Sequence, residues 1–289
     1  MSTMAQSVRS YVELTKPRVL LLVIFTGLPA MTLAGGGWPA PGFAFSVLAG
    51  ISLAAAAANA LNCYIERDTD RLMERTRTRP LPAARMEPGR ALFFGIALSA
   101  LATALLFAVG GGLAAGLGLA TILFYVFVYT VWLKPRSAWN AVIGGAAGAA
   151  APLIADAAVN GRVGPAGWIL FAIVFFWQPP HVWAIALFRK QDYARAGIPM
   201  LPSVIGDQPT RWRMLWYSLA LVPVTLAPLP LGLLGPVYGV VASGLGAWFV
   251  WHSVRVLREQ TDAAARRMFG VSLLYLFALF ATMLVDLAI

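Results

Sequence analysis

Apolar stretches of about 20 residues recur along this chain, and they constrain its fold more than any other feature. A helix rises 1.5 Å per residue, so about 20 apolar residues cross the roughly 30 Å hydrocarbon layer of a bilayer, where backbone amides must bond within their own segment. Length and apolarity give nine such spans, at about 19–37, 42–66, 90–109, 112–132, 138–158, 166–188, 213–231, 234–254 and 269–287. Hydrophobic residues make up 60% of the chain and charged residues only 12%, which excludes an ordinary water-soluble domain. The expected fold is an all-α polytopic membrane protein, one domain over residues 1–289, with the lipid bilayer as its solvent.

The formal net charge of +10 raises nucleic acid as a partner, and the placement of the charge argues against it. All but Arg162 of the 22 Lys and Arg residues lie near the N-terminus or in every second connection between spans. Short connections rich in Lys and Arg stay cytoplasmic. The N-terminus is therefore expected inside and, with nine spans, the C-terminus outside. Cys63 stands alone, so no internal disulfide forms and no metal-binding cysteine spacing exists. Lys16-Pro17-Arg18 leads straight into an apolar run without a cleavage pattern, so the first span is expected to be retained.

Two basic connections, 67–89 and 189–212, are longer than the rest and carry acids among the bases. Chemistry is expected there, at the ends of the second and sixth spans. The first opens with "NCYIERDTDRLMERTRTRPLP", residues 62–82. On a helix Asn59, Asn62, Glu66 and Asp70 fall on one face. Amide and carboxylate oxygens suit Mg2+, which takes one or two protein carboxylates and completes its shell with water and phosphate oxygens. Arg75, Arg77 and Arg79 add positive charge just beyond, the arrangement a diphosphate bound through Mg2+ requires. The alternative is that Glu66 and Asp70 pair along the helix with Arg67, Arg71 and Arg75. That reading leaves Asn59 and Asn62, polar groups inside an apolar span, without a reason.

The sixth span runs into "WQPPHVWAIALFRKQDYARAGIPMLP", residues 177–202. Pro179-Pro180 is expected to break or kink its helix and free backbone carbonyls. His181 and Asp192 are eleven residues apart, which on one helix gives a shared face with His181 roughly 16 Å deeper. His181 reads either as a ligand-facing residue or as a hydrogen-bonded core histidine beside Trp177 and Trp183. His252 is expected at the membrane interface.

These motifs carry a resemblance. "NCYIERDTDRLMERTRTRPLP" is similar to the first acidic motif of the UbiA superfamily of intramembrane prenyltransferases. "YVELTKPRVLLLVIFTGLPAM", "LKPRSAWNAVIGGAAGAAAPL" and "WQPPHVWAIALFRKQDYARAGIPMLP" resemble the protohaem IX farnesyltransferase branch, so the likeness covers nearly the whole chain. It implies nine helices around a lateral cavity capped by cytoplasmic loops, with Mg2+ as cofactor and an isoprenyl diphosphate as substrate. By position, Asn62, Glu66 and Asp70 hold the first Mg2+, and Asp192 belongs to the second acidic motif. Glu66 stands where the superfamily usually has Asp, and the second motif has one acid in place of a spaced pair.

The branch implies farnesyl transfer from farnesyl diphosphate to a vinyl group of haem B, with water addition, giving haem O for a terminal oxidase. It also implies a bacterial inner membrane and hand-over of product to haem A synthase or oxidase assembly factors. Arg79, Lys134 and Lys190 are then expected on the diphosphate and His181 on the haem. Tyr125, Tyr129, Trp177 and Trp183 are candidates for lining a cavity that shields an allylic cation. Two other readings stay open: a prenyltransferase for another acceptor such as a quinone precursor, and a secondary transporter, whose charges usually lie nearer mid-membrane.

Overall fold

The computed structural model describes residues 3–289, and among them every regular element is helical. The first helix, α1 (Thr3–Thr15), buries Ser10 and Leu14 and leaves Val8 and Val12 exposed. It stops at Lys16, whose φ of 53° and ψ of 67° are left-handed, a conformation that costs a non-glycine residue about 1 kcal/mol. Pro17 then starts α2 (Pro17–Gly35), where its fixed φ suits the first helical turn.

Among the described residues seven stretches are long and apolar enough to cross a membrane. They are α2, α3 (Pro41–Ile65), Pro88–Leu133, Asn140–Asn160, α9 (Pro165–Phe188), α13 (Pro236–Glu259) and α14 (Asp262–Asp286). Pro88–Leu133 joins α5 (Pro88–Leu123) to a π-helical turn, Phe124–Leu133. Laid straight, its 46 residues would span about twice a bilayer. It does not run straight. Gly111 has φ 77° and ψ −177°, and a Cβ added at Gly118 would lie 2.6 Å from Leu106 Cδ1. In a straight helix those residues stand roughly 18 Å apart. The chain thus doubles back at a glycine, and the spans expected at 90–109 and 112–132 are its two arms. The span expected at 213–231 falls on α12 (Asp207–Leu226), which is outside the seven because its first turns carry Asp207, Arg211 and Arg213.

Lipid tails offer helices no hydrophobic drive to associate, so close backbone approach matters more than in water. Ala54, Ala57 and Ala102 are buried where α3 meets α5, and a Cβ at Gly50 or Gly95 would collide with Leu106 or Leu61. The Asn140–Asn160 stretch is broken into α6 (Asn140–Ile143), α7 (Gly145–Gly148) and α8 (Ala151–Asn160). There Gly144 lies against Tyr129, and Gly145 and Gly148 against Gln178, too near for any larger residue.

Helix α9 is central, packed against α2, α8, α12 and α14. The break expected at Pro179-Pro180 is absent: α9 continues past both prolines, which are buried. Neighbouring helices on several sides hold it in place. It ends instead at Arg189, with φ −115° and ψ 18°.

At the far end of the bundle two helix starts are capped by buried acids. Asp156, fully buried, accepts from Gly164 N at 2.8 Å, Gly167 N at 2.9 Å and Asn160 Nδ2 at 2.8 Å. Asp286 accepts from Gly235 N at 2.5 Å and Tyr238 N at 2.9 Å. Each carboxylate satisfies amides that begin a helix and have no partner within it.

Candidate active site

The polar stripe survives a break in its helix. Glu66, with φ −86° and ψ 4°, ends α3, and α4 (Arg67–Arg71) follows. The Glu66 amide still donates to Asn62 O at 2.9 Å and the Asp70 amide to Glu66 O at 2.7 Å. Asn62, Glu66 and Asp70 are 1%, 9% and 3% exposed, so each must find a partner inside the protein.

Each one meets a base from elsewhere in the chain. Lys16 Nζ donates to Asn62 Oδ1 at 2.8 Å. Lys134 Nζ lies 2.5 Å from Glu66 Oε1, and Arg79 Nη1 lies 2.7 Å from Asp70 Oδ2. The pairs of the alternative reading do not form: Arg67 and Arg71 turn to Asp68, which is exposed, where ion pairs are worth little. Asn59 Nδ2 donates to Thr15 O at 3.1 Å, and Asn62 Nδ2 to Thr130 Oγ1 at 3.1 Å. Thr130 in turn donates to Tyr125 O at 2.8 Å, five residues back. The π-helical turn brings that hydroxyl to the stripe, and both buried amides are accounted for.

Charge in the cluster is balanced closely. Burial works against the Lys134 ammonium, but Tyr129 and Glu66 outweigh it and hold its pKa above the ordinary lysine value. Burial likewise opposes the Arg79 charge, and Asp70 overcomes it, leaving the pKa raised. For Lys16 burial dominates, and its pKa is lowered. Lys134 also lies 5.9 Å from the centre of the Tyr129 ring, which packs 5.1 Å from that of Tyr125.

The second charged connection closes on the first. Asp192 sits on α10 (Lys190–Arg195), 5% exposed. Its Oδ1 accepts from Glu74 N at 3.4 Å, and Arg189 and Arg195 stand at 3.8 and 3.9 Å. Its Oδ2 is buried without a hydrogen-bond partner, a costly state for a carboxylate oxygen. Met73 from the first connection packs with Tyr193, Ile198 and Met200 beneath this junction.

Other expected residues lie elsewhere. Lys190 Nζ pairs with Asp207 Oδ1 at 2.8 Å on a half-exposed surface, so the structure does not bring it to the cluster. His181 and Asp192 do not share a helix face, because α9 ends at Arg189 between them. His181 is held by Ser272 Oγ, 2.7 Å from Nδ1, and stacks on Trp177 at 4.5 Å. Trp183 is fully buried and its Nε1 has no partner. His252, expected at an interface, is 8% exposed beside Trp248 and Trp251. Lys16 is the residue that the sequence reading passed over. Its sign was its position immediately before Pro17 at the mouth of the first span.

Among the described residues no three His, Cys, Asp or Glu side chains converge as a ready-made metal cage. The donors are one amide oxygen and carboxylates from two connections, one of them with an oxygen that takes no hydrogen bond. Such a set fits a hard cation that draws most of its shell from water and phosphate.

A family model for the UbiA prenyltransferase family matches residues 22–282. The chain is 47% identical to the protoheme IX farnesyltransferase of Acidiphilium cryptum, over 99% of this chain and 92% of that one. It is 48% identical to that of Symbiobacterium thermophilum, over 97% and 95%. Among solved structures it is similar to a digeranylgeranylglyceryl phosphate synthase, with a TM-score of 0.81 and 16% identity over 97% of this chain and 98% of that one. A UbiA homolog from Archaeoglobus fulgidus bound to DMAPP and Mg2+ gives a TM-score of 0.67 and 19% identity over 96% and 99%. An all-helical bundle with acids and bases interlocked at one end, matched to a family model across nearly its whole length, belongs to the UbiA prenyltransferase family.

Proposed function

We propose that this chain transfers the farnesyl group of farnesyl diphosphate to a vinyl group of haem B, with addition of water, giving haem O. The observation that carries this reading is the 47–48% identity, over nearly full length, to protoheme IX farnesyltransferases. In the reaction the bond between farnesyl C1 and the diphosphate oxygen breaks. The outer vinyl carbon bonds to C1, a water oxygen bonds to the inner vinyl carbon, and one proton returns to solvent.

The diphosphate lies at the junction of the two connections. Lys134 and Arg79, kept cationic by the acids beside them, donate to its oxygens and offset the charge that grows as the ester bond breaks. Lys16, already beside Asn62, is a third donor. Asn62, Glu66, Asp70 and Asp192 would hold Mg2+, which when bound supplies Lewis-acid neutralisation of the diphosphate. Tyr125 and Tyr129 turn their rings toward this end of the bundle and keep it poor in water. His181 lies on the haem side. The protein works as a single domain in a bacterial inner membrane, with its N-terminus cytoplasmic and its C-terminus outside. Its product, still apolar, passes to haem A synthase or to oxidase assembly factors within the same membrane.

Purified protein in nanodiscs, given farnesyl diphosphate, haem B and Mg2+, is expected to produce a haem heavier by one farnesyl group and one water, read by mass spectrometry. Transfer of label to 4-hydroxybenzoate alone would overturn the acceptor.

A further inference from the structure

Ser272 makes three contacts that together fix a proton. Its Oγ lies 2.6 Å from Phe269 O and 2.7 Å from His181 Nδ1, while its own carbonyl accepts from Trp177 Nε1 at 2.7 Å. A carbonyl oxygen only accepts, so the single hydroxyl proton of Ser272 points to Phe269 O. If that proton went to His181 instead, two acceptor oxygens would face each other at 2.6 Å with nothing between them. The hydroxyl oxygen therefore accepts, and Nδ1 of His181 carries a hydrogen. In the neutral ring the lone pair is then on Nε2.

The ring cannot turn away from this arrangement. It is stacked on Trp177 at 4.5 Å with 22° between planes, and Phe269 covers it at 4.8 Å and 33°. Nε2 has no hydrogen-bond partner among the described residues, yet it is not one of the polar atoms sealed away from open space. The side chain is partly exposed on a helix that other helices surround.

An imidazole with Nδ1–H anchored to an oxygen and Nε2 unengaged is the form in which histidine ligates a metal, the anchor setting ring orientation and raising basicity. We propose that Ser272 holds His181 in this tautomer so that Nε2 serves as an axial ligand to the iron of the haem acceptor. Ser272 is a positioning residue: it touches no substrate. This rests on the reading of haem B as acceptor and adds the contact that orients it. Iron coordination fixes the porphyrin's tilt and leaves rotation about one axis as the remaining freedom in placing a vinyl group. Trp177 and Phe269, packed on the imidazole, hold the ligand's own plane.

The test compares haem B with metal-free protoporphyrin IX, which has the same outline and no iron. Both are titrated into the full chain in nanodiscs, with absorbance spectra recorded, for the parent, His181→Ala and Ser272→Ala. The parent is expected to bind haem at least about 10-fold more tightly than the metal-free porphyrin, with a histidine-ligated spectrum. His181→Ala should bring the ratio to about one, and Ser272→Ala should place it in between. A parent ratio of about one overturns the proposal whether or not the variants fold. So does an unchanged ratio in His181→Ala with parental circular dichroism. The acceptor itself is checked separately, by mass of the product from parent protein. Haem O formation with no iron preference sinks the ligand and keeps the acceptor, whereas iron-dependent binding with no farnesylated haem sinks the acceptor.

Discussion

Asp192 Oδ1 accepts the backbone amide of Glu74 at 3.4 Å, and 118 positions of sequence separate the two. This bond ties the two charged connections together while the other oxygen, Oδ2, stays buried without a hydrogen bond, the Arg189 guanidinium 3.8 Å away. Asp192→Asn keeps an oxygen for Glu74 and removes the charge. Turnover to haem O should fall by about 100-fold or more, equivalent to roughly 3 kcal/mol of barrier, with little change in thermal unfolding in detergent. Near-parental turnover at saturating Mg2+ would show that the charge has no part in the reaction.

Asp70→Asn and Asn62→Ala test the stripe in the same way, and each is expected to lower Mg2+-dependent turnover by about 100-fold. Glu66→Asp is the milder change, one methylene shorter and of the same charge. Activity should be retained within about 10-fold, which Mg2+ titration of the product rate will show.

Lys134→Ala leaves Glu66 buried without the ammonium that now sits 2.5 Å away. Removing one partner of a buried pair costs on the order of 3 kcal/mol. A lower unfolding temperature is expected, together with a larger rise in apparent KM for farnesyl diphosphate than for haem. Equal KM values in variant and parent would restrict Lys134 to a structural role.

Asp156→Ala strips acceptors from Gly164 N, Gly167 N and Asn160 Nδ2 at a place where water does not replace them. The stability loss should be on the order of 3 kcal/mol. The rate per folded molecule should be unchanged, since this end of α9 lies a helix length from Asp192. A selective loss of rate would contradict that separation.

Helix α1 is latched by acid-dependent contacts. Glu13 receives Arg85 Nη2 at 2.5 Å and Arg9 Nε at 2.9 Å, and the Arg85 bond above all holds its pKa below the ordinary 4.5. The folded carboxyl is thus the stronger acid, so the latch is complete above pH 4.5 and is lost as pH falls through the lowered value. The protection factor of the α1 amides, the exchange rate divided into the intrinsic rate at the same pH, should fall in that acid window. In Glu13→Gln it should be low throughout and show no such step.

Much of the candidate site was legible because three of its members lie on one turn pattern. Asn62, Glu66 and Asp70 announce themselves by helical spacing and by their cost inside an apolar span. Their partners do not. Arg79 and Lys134 stand out only through the family resemblance, which names Lys190 beside them, and Lys16 not at all; tertiary packing is what sets these three against the acids and leaves Lys190 on Asp207. The fold divides the same way. Apolar length revealed the spans, but the π-helical turn that delivers Thr130 and the helix breaks at Glu66 and Arg189 depend on neighbours distant in sequence. Pro179-Pro180 misled for the same reason, since the helices packed around α9 override a local preference.

The two acid caps, Asp156 and Asp286, have a mechanical consequence. They rivet helix starts at the end of the bundle away from the cluster of paired acids and bases, with bonds to backbone amides that lipid cannot compete for. At the cluster end three of the ties run instead through long, flexible Lys and Arg side chains. An amide held by a buried carboxylate has no side chain of its own to reorient, whereas an ammonium or guanidinium hangs on several rotatable bonds, so the capped end is the stiffer of the two.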